Sequence, residues 1–383
     1  MSTLRVDAIR HNSATSDAIT THSDGTASAK IIDVGGGQLS HRNLIINGAM
    51  QVAQRSTSAV NIPGGKTVTD VDRFGQWTKT ADGNWKSGQQ VSDAPADFQF
   101  SRKITSLAAN TIEAGTYHTV RYAVEGYDAA QLNCGLSSAK TVTLSFYVKS
   151  SLTGTFGLNF TNGANNRSYP TTYTISNPNV WERKTITVTL DTSGTWLKTN
   201  GVGLEINWHL AIGSSYSTST LNQWQGNWRF PSSATDILAT NGATWQLTGV
   251  QLEVGDTATT FEHRSHGEEL RRCYRYFQRL TSSDNYQWVS LVSFYSGSEI
   301  HGFLKHFDTM RAVPTLSADT GANTFAVQRA GGAVAWSTGI IKNGGDLNIT
   351  YFYRDGVSLG TSGQCGRCLT WTAGSTITLD AEL

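Results

Sequence analysis

Cys365-Gly-Arg-Cys368 has the spacing of half a zinc site or of a redox pair. A structural zinc takes four ligands, and the other cysteines, Cys134 and Cys273, stand alone in the sequence. A redox Cys-x-x-Cys belongs beside a βαβ unit, and no such pattern follows here. Two cysteines in a β-turn are the plainer expectation. His263-Arg-Ser-His266 brings two histidines within one turn, and Cys273 would complete a set of three ligands. Polar residues around a helix start explain the pair more simply. No metal and no cofactor is expected.

Nucleophilic catalysis finds no foothold, because Gly360-Thr-Ser-Gly363 lacks the spacing of a Gly-x-Ser-x-Gly elbow. No glycine-rich phosphate loop of Walker or dinucleotide type is present. Glycoside hydrolysis needs two carboxylates facing across a cleft, and Glu113, Glu125, Glu205 and Glu253 are available. The sequence does not pair them. The expectation is a chain that is not an enzyme.

Aromatic side chains are the stronger lead. Asn222-Gln-Trp-Gln-Gly-Asn-Trp-Arg-Phe230 sets Trp224 and Trp228 among amides, with Arg229 adjacent. Indole faces stack on sugar rings while amides and guanidinium groups read hydroxyls, so Trp224, Trp228 and Arg229 are the candidate glycan-binding residues. The competing reading, which the composition favours, is a long loop burying its own tryptophans to hold its shape. Trp77 and Trp85 carry weaker versions of the same argument.

The elements that would position these groups are strands. Only 15% of the 383 residues are charged, against a usual share of about 25%, while glycine numbers 38 and aromatics make up 10%. That composition suits short strands and turns better than long helices or disordered tails. The formal net charge of +1 lacks the basic footprint of a nucleic-acid binder. No apolar run approaches the ~18 residues of a spanning helix, and Met1-Ser-Thr-Leu-Arg5 lacks the apolar core of a signal peptide, so neither membrane insertion nor export is expected. Few cysteines fit synthesis in a reducing cytosol.

Three domains are expected. Residues 1–45 scatter apolar side chains among polar ones ahead of Gly35-Gly36-Gly37, and read as an arm of short strands that orders against a partner. From 46 to 264 a two-residue period recurs, longest in Val202, Leu204, Ile206, Trp208, Leu210 and Ile212. This predicts an antiparallel, jelly-roll-like β-sandwich. Between Trp245 and Val254 the parity changes, which predicts a bulge near Thr248-Gly249. Leu270, Cys273, Tyr274 and Phe277 then mark one face of a helix over about 266–280, with Ser265 and Glu268 as a capping box. Its Arg271, Arg272, Arg275 and Arg279 are expected on a solvated or intersubunit face. Residues 265–383 add a second small β domain, its last strand running from Thr376 to Leu383. The fold class is all-β.

Several stretches resemble phage tail-fibre and virion appendage proteins. They are Arg42-Asn-Leu-Ile-Ile-Asn-Gly-Ala-Met50, Leu247-Thr-Gly-Val-Gln-Leu-Glu-Val-Gly255, Thr260-Phe-Glu-His-Arg264, and Gly267-Glu-Glu-Leu270 with Cys273 to Tyr276. Met310-Arg-Ala-Val-Pro-Thr315 and Asp380-Ala-Glu-Leu383 resemble the C-terminal domain of the same group. The resemblance implies a virion structural protein, usually trimeric, with a carbohydrate-binding-like jelly roll and a distal domain that meets a host glycan or envelope receptor. No catalytic residue comes with it, and no long shaft or heptad coiled coil is present. The leading expectation is a short appendage joined to other virion proteins through residues 1–45. The alternatives are a polysaccharide-degrading, tailspike-type enzyme and a capsid decoration or fibre protein. The homotrimer is expected because the Leu270-to-Phe277 face needs a partner.

Overall fold

The computed structural model describes residues 8–9, 19–21, 23, 27–29, 41–79, 85–321, 323–329, 332–336, 339–355 and 360–383. Within the N-terminal segment, Ala8–Ile9, Ile19–Thr21 and Ala27–Ala29 pair as a small antiparallel sheet. Gly35 to Gly37, expected as a flexible joint, lie outside the described residues.

Two antiparallel sheets face each other across the main core. One has six strands in the order Glu182–Thr189, Thr141–Ser150, Thr244–Val254, Ser101–Ser106, Lys86–Val91, Val60–Asn61. The other has seven, in the order Gln225–Gly226, Arg167–Ile175, Gly154–Thr161, Val202–Ile212, Tyr117–Glu125, Phe74–Thr78, Gly65–Thr67. Alternation does the sorting: Val142, Leu144, Phe146 and Val148 meet Leu204, Ile206, Trp208 and Leu210 in one buried cluster. The all-β sandwich is as the sequence predicts.

The bulge falls where the parity change places it. Ser145 pairs with Gln251 and Tyr147 with Thr248, so Gly249 and Val250 together oppose Phe146. Gly249 has φ +60°, and a Cβ there would sit 2.7 Å from the Phe98 ring. Gly48 is equally constrained, because a Cβ would lie 2.1 Å from the Val250 carbonyl oxygen. The extra residue returns Val250 and Leu252 to the core, where Trp245 and Leu247 already point.

The helix is shorter than the periodicity predicts, His266–Tyr274 instead of about 266–280. It stops because Phe277–Thr281 pairs with Thr376–Asp380, and a strand's backbone bonds compete with further helical turns. Ser265 caps it by accepting from the Glu268 amide at 3.2 Å. Glu268 does not reach back to complete the box; its carboxylate takes Arg272 at 2.9 Å. The face expected to need another copy is covered within the chain: Cys273 and Tyr276 pack on Ile46 and Val52, with Leu270 and Leu383 at the margin. That removes the original argument for a trimer.

Beyond the helix, Phe277–Thr281, Thr376–Asp380 and Thr315–Ala318 form a three-stranded sheet. It packs on a distal seven-stranded sheet ordered Gly332–Trp336, Phe325–Arg329, Cys365–Thr370, Trp288–Ser296, Glu299–Lys305, Ile349–Arg354, Ile341–Gly345. The last strand ends at Asp380, not Leu383, and residues 381–383 leave the sheet for the sandwich. Cys365 and Cys368 lie on one strand instead of in a turn, Cys365 exposed and Cys368 buried, so they face opposite sides of the sheet and cannot share a ligand.

Candidate functional site

Segments distant in sequence meet between the sandwich and the distal unit. Asn43 is the first link, its side-chain oxygen accepting from the amides of Ile45 (2.9 Å) and Leu252 (3.1 Å). Arg264 donates to the carbonyls of Asn43 (2.5 Å) and Ile45 (3.0 Å) and to Glu269 (3.2 Å). Glu269, buried in the first turn of the helix, accepts in turn from the Asn47 amide at 2.7 Å. Each link satisfies a polar group that burial would otherwise penalise.

A second set of links grips the end of the last strand. Arg55 reaches Asp380 at 3.0 Å. Arg73 reaches Glu382 at 2.5 Å, Arg121 the carbonyl of Leu383 at 2.6 Å, and Arg311 the carbonyls of Ala381 and Glu382 at 2.8 and 2.9 Å. Glu125, at the end of a sandwich strand, receives Arg275 through two nitrogens at 2.8 and 2.6 Å and the Tyr276 hydroxyl at 2.7 Å. Two neighbouring carboxyls are driven apart here. Burial pushes Asp72 up to about 7 despite Arg55. Burial would do the same to Glu382, but Arg73 and Arg55 outweigh it and hold that carboxyl below its ordinary value.

The helix arginines therefore divide. Arg271 and Arg272 stay outside, on Asp308 and Glu268, as a solvated face would have them. Arg275 and Arg279 turn inward, Arg279 donating to the carbonyls of Gln54 and Arg55, which corrects the expectation of a wholly solvated or intersubunit face. A cleft of about 610 Å³ opens beside this joint, lined by Tyr127, Asp128, Arg271, Arg275, Asp308 and Thr309.

The candidates from the aromatic loop lie elsewhere: Trp228 on the outer face of the seven-stranded sandwich sheet, Trp224 at the sandwich edge against the main core. Trp228 is 7% exposed, with Trp77, Phe230, Tyr117 and Tyr216 around it at ring distances of 4.4 to 5.7 Å. Trp224 is half-buried, its indole N–H on the Thr189 carbonyl at 2.9 Å and its ring edge-on to Trp196. Arg229 donates to the Ser215 carbonyl. All three side chains hold the loop to its surroundings, Trp224 reaching the edge strand of the six-stranded sheet. Trp77 carries Lys66 over its ring at 3.9 Å, and Trp85 stacks on His118.

The four glutamates do not gather. Glu125 is in the joint. Glu205 is buried against Arg121 at 2.7 Å, which with Lys66 and Asn207 holds its carboxyl down against the opposing effect of burial. Glu253 accepts from Gln251 and Thr259, and Glu113 is exposed. His263 and His266 are exposed while Cys273 is buried, His263 against Phe98 and Phe261. Among the described residues no cluster of three or more His, Cys, Asp or Glu side chains could hold a metal ion.

One surface escaped the sequence reading. The outer face of the distal sheet carries Trp288, Leu291, Tyr295, Phe303, Ile341 and Tyr351, exposed by between 41% (Ile341) and 69% (Tyr295). Register makes them neighbours: Phe303 pairs with Tyr351, Tyr353 with Ile341, and the Val292–Gly302 pair brings Leu291 beside Phe303. Arg367 lies over the Trp288 ring at 4.1 Å, and Tyr295 stacks on His301. The signal was in the sequence: along 288–295 both parities are apolar, Val292 and Phe294 in one, Leu291 and Tyr295 in the other. A strand apolar on both faces asks for cover on both.

No protein-family model matches the chain, and no curated protein is similar to it. Among solved structures it is similar to the enzymatically active domain of tailspike protein 4 of bacteriophage CBA120, with 14% identity and a TM-score of 0.28 over 55% of this chain and 21% of that one. The chain thus spans about a fifth of that domain's length. It is also similar to a family 11 carbohydrate-binding module from Clostridium thermocellum (10% identity, TM-score 0.27, 54% of this chain and 99% of the module). A CBM22-1 xylan-binding domain from Paenibacillus barcinonensis matches with 10% identity and a TM-score of 0.25, over 54% of this chain and 98% of the domain. These likenesses are remote, and the sandwich assignment rests on the strand pairing described above.

Proposed function

We propose that this chain is a structural, non-enzymatic component of a phage particle. In this reading it is a short tail-fibre-like appendage that docks on other virion proteins through the N-terminal arm, short of Asn43 and Ile45, which are buried within the chain. Its distal part adsorbs to the host surface, on a glycan or an envelope receptor. The observation that supports it is the convergence in the joint. Of the segments that resemble virion appendage proteins, 267–276, 310–315 and 380–383 reach the sandwich through Arg275 to Glu125, Arg311 to the Asn200 carbonyl and Glu382 to Arg73, while 42–50, 247–255 and 260–264 bond to one another and, through Asn47 and Arg264, to Glu269 of the helix. What the resemblance marks is therefore a device for fixing one unit against another. A particle appendage needs such a fixed angle between its docking end and its host-facing end. A homotrimer belongs to the same reading, since three equivalent sites raise weak receptor binding through avidity. The chain would be made in the host cytoplasm and end on the virion.

Imaging virions that carry a labelled chain tests this. Label on the tail supports the appendage, whereas label spread over the capsid supports a decoration protein. Incubation with host envelope polysaccharide should release no oligosaccharide; steady release would replace this reading with the tailspike-type enzyme.

A further inference from the structure

We infer that the outer face of the distal sheet is a contact surface between copies of this chain. The inference locates the interface; the number three rests on the function proposed above. The face carries four aromatic and two aliphatic side chains on adjacent strands, Trp288, Tyr295, Phe303, Tyr351, Leu291 and Ile341. At ~150–250 Å² for a whole aromatic side chain, their exposed parts add up to roughly 600 Å², the top of the range a soluble monomer leaves open. A standard interface buries about 800 Å² on each partner, so this patch with its polar margin is of the size that association requires.

Its chemistry selects a like surface. The centre, Leu291 beside Phe303 beside Tyr351, is uncharged. Of the nearest charges, Arg367 lies over Trp288 and Glu299 bonds His301 at 2.7 Å, while Lys305 is exposed two residues beyond Phe303, at the end of the ladder where it pairs with Ile349. A second apolar face buries this uncharged centre and leaves Lys305 at the solvated margin. Three flat sheet faces turned to a common axis close on one another, and two can close face to face.

Cys365 supplies an internal reporter. It is exposed on this same face, across from Ser293, while Cys134, Cys273 and Cys368 are buried. The test is light scattering of the full chain alongside its Leu291→Lys and Phe303→Lys variants, with thiol labelling of native Cys365. Wild type should be oligomeric with Cys365 labelled at least tenfold more slowly than in the variants. The variants should be monomeric with an unchanged circular dichroism spectrum. Leu291→Thr, which keeps a strand-forming residue, guards against misfolding and should weaken association in the same direction. A wild-type dimer would sustain the interface and overturn the threefold reading. A wild-type monomer with open Cys365, or variants that remain oligomeric, would overturn the inference. If the monomeric wild type binds host cells and Leu291→Lys does not, the face is a receptor surface and the appendage reading survives without this interface.

Discussion

Arg73 and Glu382 lie 309 positions apart and meet at 2.5 Å, with the Arg73 guanidinium 3.4 Å above the ring of Tyr276. One comes from the turn before a sandwich strand, the other from just beyond the last distal strand. Arg73 is 3% exposed and adopts φ +70°, a backbone strain that this pairing offsets.

Removing one partner should be worse than removing both. Glu382→Ala leaves a buried guanidinium unpaired and should cost ~3–5 kcal/mol, while Arg73→Met with Glu382→Met should cost appreciably less. Urea unfolding of Glu382→Ala, of the double variant and of Arg73→Met and Glu382→Met singly checks this. A double variant as unstable as the sum of the singles would show that the pair is not coupled.

The same joint should respond to pH through Asp72. Its carboxyl is raised from 3.8 to about 7 by burial, so between these values the folded chain keeps a proton that the unfolded chain has released. The contribution to stability is whole below about pH 4 and is lost as pH rises through about 7. The stability of wild type relative to Asp72→Asn should therefore fall from pH 4 to pH 8, measured by chemical denaturation. A difference that grows over this range would contradict the buried state of Asp72.

Trp228 offers a choice between structure and binding. With the packing of four aromatic neighbours removed in part, Trp228→Ala should destabilise the fold by ~3–5 kcal/mol. Trp224→Ala should cost less, since its ring is half-exposed. Thermal melting beside a glycan-binding assay decides the matter: loss of binding at unchanged melting temperature would make the loop a recognition surface.

Glycines should differ sharply by position. Gly249→Ala forces a methyl group toward Phe98 and Tyr147 at φ +60° and should cost ~1–3 kcal/mol. Gly48→Ala should be worse, because its neighbour is a backbone carbonyl that cannot turn aside. Gly267→Ala, in the helix with nothing within 4 Å, should be neutral or gain up to ~1 kcal/mol. Melting temperatures of the three rank them, and a tolerated Gly48→Ala would mean that the 43–50 segment is free to shift.

The sandwich was legible because two-residue alternation reports directly on which side chains meet a core, and a single parity slip was enough to place the bulge at Gly249. The helix length was not legible. Phe277 fits the helical face of Leu270 and Cys273, and only its pairing with Asp380, more than a hundred residues later, takes it into a strand. The joint was hidden for the same reason. Asn43, Glu269, Arg275 and Arg311 look like ordinary surface residues until the fold sets them against each other. Trp224 and Trp228 drew notice because they are adjacent in sequence, whereas Leu291, Phe303 and Tyr351 become a patch only through strand register.

Because residues 380–383 are clasped by Arg55, Arg73, Arg121 and Arg311, the order of synthesis acquires a meaning. All four arginines leave the ribosome before the segment they hold, so the sandwich can form early while its attachment to the distal unit must wait. Removal of residues 380–383 would keep most of the core yet abolish the clasp.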